Sequence, residues 1–210
     1  MKHILLVENH SIVRLATLFI IRDIFPAVTS WETDNFPDAL HIVSSQRLDL
    51  VLLDINIPDG EGFQMIANIR RLQPEVNILV FSAIDEELYA MHYLKAGANG
   101  FLSKNSSTQE IRKAILAVLV NGRYVSEMVQ QILLRGNVTP ETRQSNPLAA
   151  LSQREIEVMD LLLQGKWTKE IATFLNITGS SVSTYKVRIF EKLGVNTVIE
   201  LYQRVSALRD

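Results

Sequence analysis

The sequence predicts a doubly wound parallel α/β sheet joined to a second, small all-α domain. Three observations predict it. Short apolar runs alternate with longer segments of helical spacing through residues 3–121. A stretch with two prolines and no periodicity follows, NVTPETRQSNPLAA at 137–150. From Leu151 onward the periodicity is helical only.

The apolar runs are HILLV (3–7), a weaker AVTSWE (27–32), LDLVLLD (48–54), NILVF (77–81) and GFLS (100–103). Near-continuous runs of this length mark strands covered on both faces. Between them, 11–24, 36–46, 61–72, 86–96 and 107–121 carry the spacing of amphipathic helices. Strand and helix in alternation imply crossovers and a parallel sheet, here of flavodoxin-like type with five strands. GRYVSEMVQQILLRG then reads as a helix from about Ser126 to Arg135, ahead of the linker. The last segment reads as helices at 152–164, 168–175, 179–193 and 197–207, with Gly165 and Gly194 as stops and Thr178 as an N-cap. The expected organisation is a sheet domain at 1–122, a linker with a helix at 123–149, and a helical domain at 150–210.

Composition narrows the class. With 210 residues, 47% hydrophobic and 21% charged, the chain has the balance of a soluble globular protein. The absence of cysteine excludes disulfides, thiol nucleophiles and cysteine-based zinc sites. The histidines at 3, 10, 41 and 92 show no close ligand spacing, and His10 is expected to be a surface polar residue. No apolar run approaches the length of a membrane span, and the opening residues meet Glu8 too soon for a signal peptide. A cytoplasmic location with no membrane partner is expected. The net charge is −2, and residues 148–210 hold eight basic against seven acidic side chains. Bulk charge therefore does not announce a nucleic-acid binder, and that reading must come from local pattern.

Parallel α/β sheets bind ligands outside the carboxyl ends of their strands. Polar residues fall there: Glu8 and Asn9 after the first strand, Asp54 after the third, Ser82 after the fourth and Lys104 after the fifth. Asp54 alone is equally compatible with a solvated acid at a strand end. Together the set is richer. Lys104 supplies a cation for Asp54 or for a phosphoryl group on it, and Ser82 supplies a hydroxyl. Glu8, Asn9, Asp54 and the backbone carbonyl of Asn56 offer hard oxygen ligands suited to magnesium (Mg2+). Phosphoryl transfer needs a nucleophilic carboxylate, a metal that bridges charge, and donors where negative charge develops.

LLVENH, LVLLDINIPDGEGF, LVFSA and AGANGFLSK, in this order, resemble the receiver domain of two-component response regulators over about residues 1–122. The resemblance implies that Asp54 is the phosphoacceptor, Ser82 the switch hydroxyl, Lys104 the family lysine, and Phe101 the aromatic whose rotamer reports the state. VENH departs from the pattern. The family usually has acids at both positions 8 and 9, and the second contacts the metal directly; here it is Asn9. An amide oxygen ligates Mg2+ without bringing charge, so weaker metal binding is expected. Glu8 is one methylene longer than the usual aspartate and reaches partway toward that position.

In the last segment, Ile156, Met159, Leu162 and Leu163 form one apolar face, Ile171, Ala172 and Leu175 a second, and Val182, Tyr185, Ile189 and Leu193 a third. Three such faces close a bundle. The short ITGS connection suits a helix-turn-helix, whose second helix enters the major groove of DNA. Opposite the third stripe lie Ser181, Ser183, Thr184, Lys186, Val187, Arg188 and Lys192, which suit base edges and phosphates and equally suit an ordinary solvated face. LSQREIEVMDLLLQGK, KEIATFLNIT and SVSTYKVRIFEKLGV resemble the LuxR/NarL-type helix-turn-helix over about 150–207. Tyr185 stands where that family often has histidine, and Lys166-Trp167-Thr168 replaces a small polar run; partial burial of Trp167 is expected. The resemblance places Thr168 and Lys169 at a phosphate, Ser183, Thr184 and Val187 at bases, and Lys186, Arg188 and Lys192 at phosphates.

The combined resemblance implies a NarL/LuxR-type response regulator, not an enzyme, that controls transcription. Its implied partners are a sensor histidine kinase, specific double-stranded DNA, a second copy on the DNA, and RNA polymerase. The 84–104 surface is the first candidate for the dimer contact, and the linker helix or the final helix the second. Two other readings stand beside this one. In the first, a degenerate receiver serves as a phosphorylation-independent DNA binder or an interaction scaffold. In the second, the chain is a metal-dependent phosphotransferase or phosphatase, although it shows no additional substrate domain.

Overall fold

Strand β1 (His3–Val7) is apolar on both sides and lies between β2 (Thr29–Thr33) and β3 (Leu50–Leu53). Strands β4 (Asn77–Ser82) and β5 (Gly100–Ser103) extend the sheet, giving the all-parallel order β2-β1-β3-β4-β5. The computed structural model describes residues 1–60, 62–135 and 147–207. Most of the expected linker therefore lies outside the described residues; its end, Pro147–Ala150, is a 3-10 helix. The chain divides into two compact units, Met1–Leu133 and Leu134–Asp210.

Crossovers are made by α1 (Ser11–Ile24), α2 (Phe36–Ser45), α3 (Gly62–Leu72) and α4 (Glu86–Lys95), and α5 (Thr108–Asn121) follows β5. Their starts are dictated locally. Asn35, Asp85 and Ser107 each accept a backbone N–H in the first turn of α2, α4 and α5, which satisfies donors that a helix start leaves unpaired. Side chains alternate along each strand, so Ile4, Leu6, Leu50, Leu52, Leu79, Phe81 and Leu102 share one core with Leu18 and Ile21 of α1 and Ile111, Ile115 and Val118 of α5. On the other face, Phe63 of α3, Tyr93 of α4 and Phe101 of β5 form a chain of tilted rings with centroids 4.3 and 5.9 Å apart. Gly100 leaves space for Tyr124, since a Cβ there would stand 3.1 Å from the Tyr124 carbonyl oxygen.

The first unit runs past residue 122, where the expected domain ended. Tyr124 is buried, its N–H donates to the Asn99 carbonyl, and its hydroxyl donates to Glu110 at 2.6 Å. Burial and that hydrogen bond push the phenol pKa well above its usual range. Helix α6 (Glu127–Arg135) follows, with Val129 buried. In segment 84–104, Leu88, Tyr89 and Tyr93 are buried, while Ile12, Leu15 and Phe19 form an exposed stripe on α1.

The second unit contains α7 (Gln153–Leu163), α8 (Thr168–Phe174), α9 (Gly179–Leu193) and α10 (Val198–Ser206). Its core joins Ile156, Met159, Leu162, Ile171, Leu175, Val182, Ile189, Leu193 and Leu201, all buried. Asn176 turns the chain after α8 at φ 50°, and Thr178 caps α9 by accepting the Ser181 N–H. Trp167 is 79% exposed rather than partly buried, because it precedes α8 at a corner outside the bundle.

Ser152 and Glu155 form a reciprocal capping box at the start of α7, and Lys192 near the end of α9 donates to Glu155 Oε2 at 2.6 Å. Burial pushes the Glu155 carboxyl up, but hydrogen bonds from Lys192 and Ser152 outweigh it and hold the pKa below the ordinary value of 4.5. A carboxylate depressed in the folded state stabilises the fold above its unfolded pKa, and that stability is lost as pH falls through the folded value. The thermal stability of the second unit is therefore expected to fall as pH drops below about 4.5. Glu155→Gln, compared across the same range, is expected to start less stable and to show the flatter pH dependence.

Candidate functional site

The register brings the strand ends together. Val7 pairs with Leu53, so Glu8 and Asp54 follow as neighbours, and Ser82 pairs with Ser103, so Lys104 follows beside them. Backbone hydrogen bonds continue past the strands: Asp54 N–H donates to the Val7 carbonyl at 2.9 Å, and Lys104 N–H to the Ser82 carbonyl at 2.8 Å. The cluster sits where the order reverses between β1 and β3, the switch point at which doubly wound sheets bind ligands.

At its centre the Lys104 ammonium lies 2.5 Å from Glu8 Oε2 and 2.7 Å from Asp54 Oδ2. Glu8 is fully buried and Asp54 only 2% exposed. One ammonium between two carboxylates leaves one net negative charge; an acid at position 9 would leave two. Asp54 Oδ1 accepts the Asn56 N–H at 3.1 Å. Arg14 donates to the Glu8 carbonyl at 2.7 Å, which fixes the turn into α1. Ser82 is fully buried at the end of β4, and Phe101 is buried in β5.

Asn9 lies at the mouth with Oδ1 buried and without a hydrogen-bond partner. Leaving such an acceptor unpaired costs ~1–3 kcal/mol, which a ligand at that atom removes. His10 is exposed, as expected, and it also contacts Glu8. Its N–H donates to Glu8 Oε1 at 2.8 Å, and its Nδ1 lies 2.9 Å from the same oxygen. Ligand atoms of Glu8, His10 and Asp54 all fall within 4.8 Å of one another. No strand periodicity encodes this contact, because both residues lie beyond the end of β1, where the chain bends.

Along α9, Ser183, Thr184, Val187 and Arg188 are exposed. The Ser183 and Thr184 hydroxyls donate back to the carbonyls of Gly179 and Ser180 at 3.0 Å, which leaves their oxygens free to accept. Val187 is 55% exposed. Lys186 lies over the Phe190 ring at 5.4 Å. Ser181 is partly buried, its hydroxyl 2.8 Å from Thr178 Oγ1. Thr168 and Lys169 open α8, with Lys169 exposed. Lys192, expected at a phosphate, is exposed and also donates to Glu155 Oε2 at 2.6 Å.

Among the described residues, no helix is long and apolar enough to cross a membrane. Residues 4–116 match the response regulator receiver domain family, and residues 149–205 match the bacterial regulatory proteins of the luxR family. The chain is 31% identical to response regulator UvrY of Escherichia coli (strain K12) over 96% of this chain and 92% of that one. It is 32% identical to the virulence factors putative positive transcription regulator BvgA of Bordetella pertussis, over 94% and 93%. The fold is similar to that of RcsB from Salmonella enterica serovar Typhimurium bound to promoter rprA, with TM-score 0.81 and 22% identity, covering 99% of this chain and all of that one. With both halves matched in order and the relatives covered nearly end to end, the chain belongs to the response regulators that join a receiver domain to a luxR-family regulatory domain.

Proposed function

We propose that the chain is a transcription regulator that binds specific double-stranded DNA through α9 and is switched by phosphorylation of Asp54 by a sensor histidine kinase. The observation that carries the proposal is the buried Glu8–Lys104–Asp54 cluster at the switch point. Asp54 is the nucleophile: a carboxylate oxygen attacks the donor's phosphorus and the phosphorus–donor bond breaks. Lys104, held within reach, transfers its ammonium from the free carboxylate to the new phosphoryl oxygens. Ser82, on the neighbouring strand end, supplies a hydroxyl to the same group. Glu8, Asn9, Asp54 and the Asn56 carbonyl would hold a divalent ion such as Mg2+, and the unpartnered Asn9 Oδ1 fits that role. When bound, the ion neutralises charge on the transferring group. Drawing Lys104 and Ser82 toward a phosphoryl group biases the β4–β5 ends toward a second arrangement, a population shift between two states.

On the DNA side, Ser183, Thr184 and Val187 face bases, while Lys186, Arg188, Thr168 and Lys169 serve phosphates; Lys192 serves the fold. One α9 helix reads few base pairs, so two copies pair on a two-part site. Beside 84–104, the exposed α1 stripe is an apolar surface for the second copy. RNA polymerase is the downstream partner, and the cytoplasm the compartment in which these partners meet. A second reading, a receiver that works without phosphorylation, is favoured by one observation: with Asn9 neutral, Lys104 already balances one of the two acids.

Two experiments decide. Intact mass after treatment with acetyl phosphate and Mg2+ is expected to show one added phosphoryl group, absent in Asp54→Asn and formed faster in Asn9→Asp. No gain in the wild type, with gain in Asn9→Asp, would establish the second reading. DNA fragments enriched by selection are expected to bind with steep salt dependence, and Arg188→Ala to reduce the log–log slope by about 0.9, the value for one lost phosphate contact. Binding to no fragment at low salt would contradict the DNA assignment.

A further inference from the structure

The second unit carries a large aromatic side chain that its core does not use. Trp167 is 79% exposed at the corner between Gly165 and α8. Its backbone is nonetheless fixed: the Trp167 N–H donates to Glu170 Oε2 at 2.7 Å, and its carbonyl accepts the Ile171 N–H at 2.9 Å. The indole therefore projects into water from an anchored position. The surrounding charge favours an anionic partner. Lys166 precedes the ring and the exposed Lys169 follows it by two residues. Glu170, the nearest acid in the chain, has its carboxylate turned back onto the Trp167 N–H.

In a helix-turn-helix the first helix crosses the DNA backbone while the second enters the major groove. Here α8 is the first helix, so the side chain just ahead of it lies beside the strand that borders the groove. An indole offers what a sugar–phosphate strand can use: an apolar face for deoxyribose and an N–H that donates to a phosphate oxygen. Ordering it costs little, because the backbone is already held and the ring turns about only two torsions. The contact is particular to this chain, since Trp167 stands where the luxR-type pattern has a small polar residue. We infer that Trp167 packs on the sugar–phosphate backbone beside the site read by α9, and adds affinity through a neutral contact rather than an ionic one. The inference rests on the proposal that the helix-turn-helix binds DNA through α9.

The test uses the full chain and a DNA fragment obtained by selection. In Trp31→Phe, Trp167 is the only tryptophan left. Acrylamide is expected to quench its fluorescence strongly in the free protein and much less at saturating DNA. Trp167→Ala is expected to weaken binding about fivefold or more. Its log–log salt slope is expected to match the wild type, whereas loss of an ionic phosphate contact would lower the slope by about 0.9. Trp167→Phe, which keeps a ring and loses the N–H, is expected to fall between the two in affinity. Quenching unchanged by saturating DNA, or Trp167→Ala binding as tightly as the wild type, would overturn the inference. So would an indole shielded in the free protein and uncovered by DNA, because its partner would then be protein. Failure of the wild type to bind any fragment would instead overturn the DNA proposal on which this one rests.

Discussion

Two carboxylates at the mouth of one sheet are tolerable because a single ammonium lies between them. Glu8 and Asp54 are almost entirely out of water, and unpaired charges there would cost several kcal/mol each, of order 3–5 when one partner of such a pair is removed. Lys104 offsets that cost, and its position depends on everything else in the receiver. The β1–β3 register sets Glu8 beside Asp54, and β5 must continue the sheet for Lys104 to follow Ser103. The rings of Phe63, Tyr93 and Phe101 fill the space beneath. The same pairing makes the site responsive, because a phosphoryl group on Asp54 competes for the ammonium that holds the resting cluster together.

The second unit repeats the device for a structural end. Glu155 is buried, closes the cap of α7, and draws Lys192 from the end of α9. This pair ties α7 to α9.

Much of this was legible in the sequence, for a physical reason. Strands buried on both faces are apolar throughout, so 48–54 and 77–81 announce themselves, and polar residues at their ends stand out. Asp54, Ser82 and Lys104 were visible as strand-end residues before any fold was known. What was not legible depends on contacts distant in sequence. The first compact unit runs past residue 122, where the Tyr124 N–H finds the Asn99 carbonyl and its hydroxyl finds Glu110, contacts that no local period encodes. His10 turns back on Glu8 because the chain bends at the end of β1. Lys192 is claimed by a glutamate 37 residues earlier, and Trp167 is exposed although its size argues for burial.

The central claim is that chemistry at Asp54 changes what α9 does. The most direct measurement is DNA affinity by fluorescence anisotropy on a fragment obtained by selection, comparing unmodified and phosphorylated full-length protein at one salt concentration. The account predicts tighter binding after phosphorylation by at least about fivefold, the lower range of allosteric coupling, and no change for Asp54→Asn carried through the same treatment. Equal affinity for fully phosphorylated and unmodified protein would contradict it.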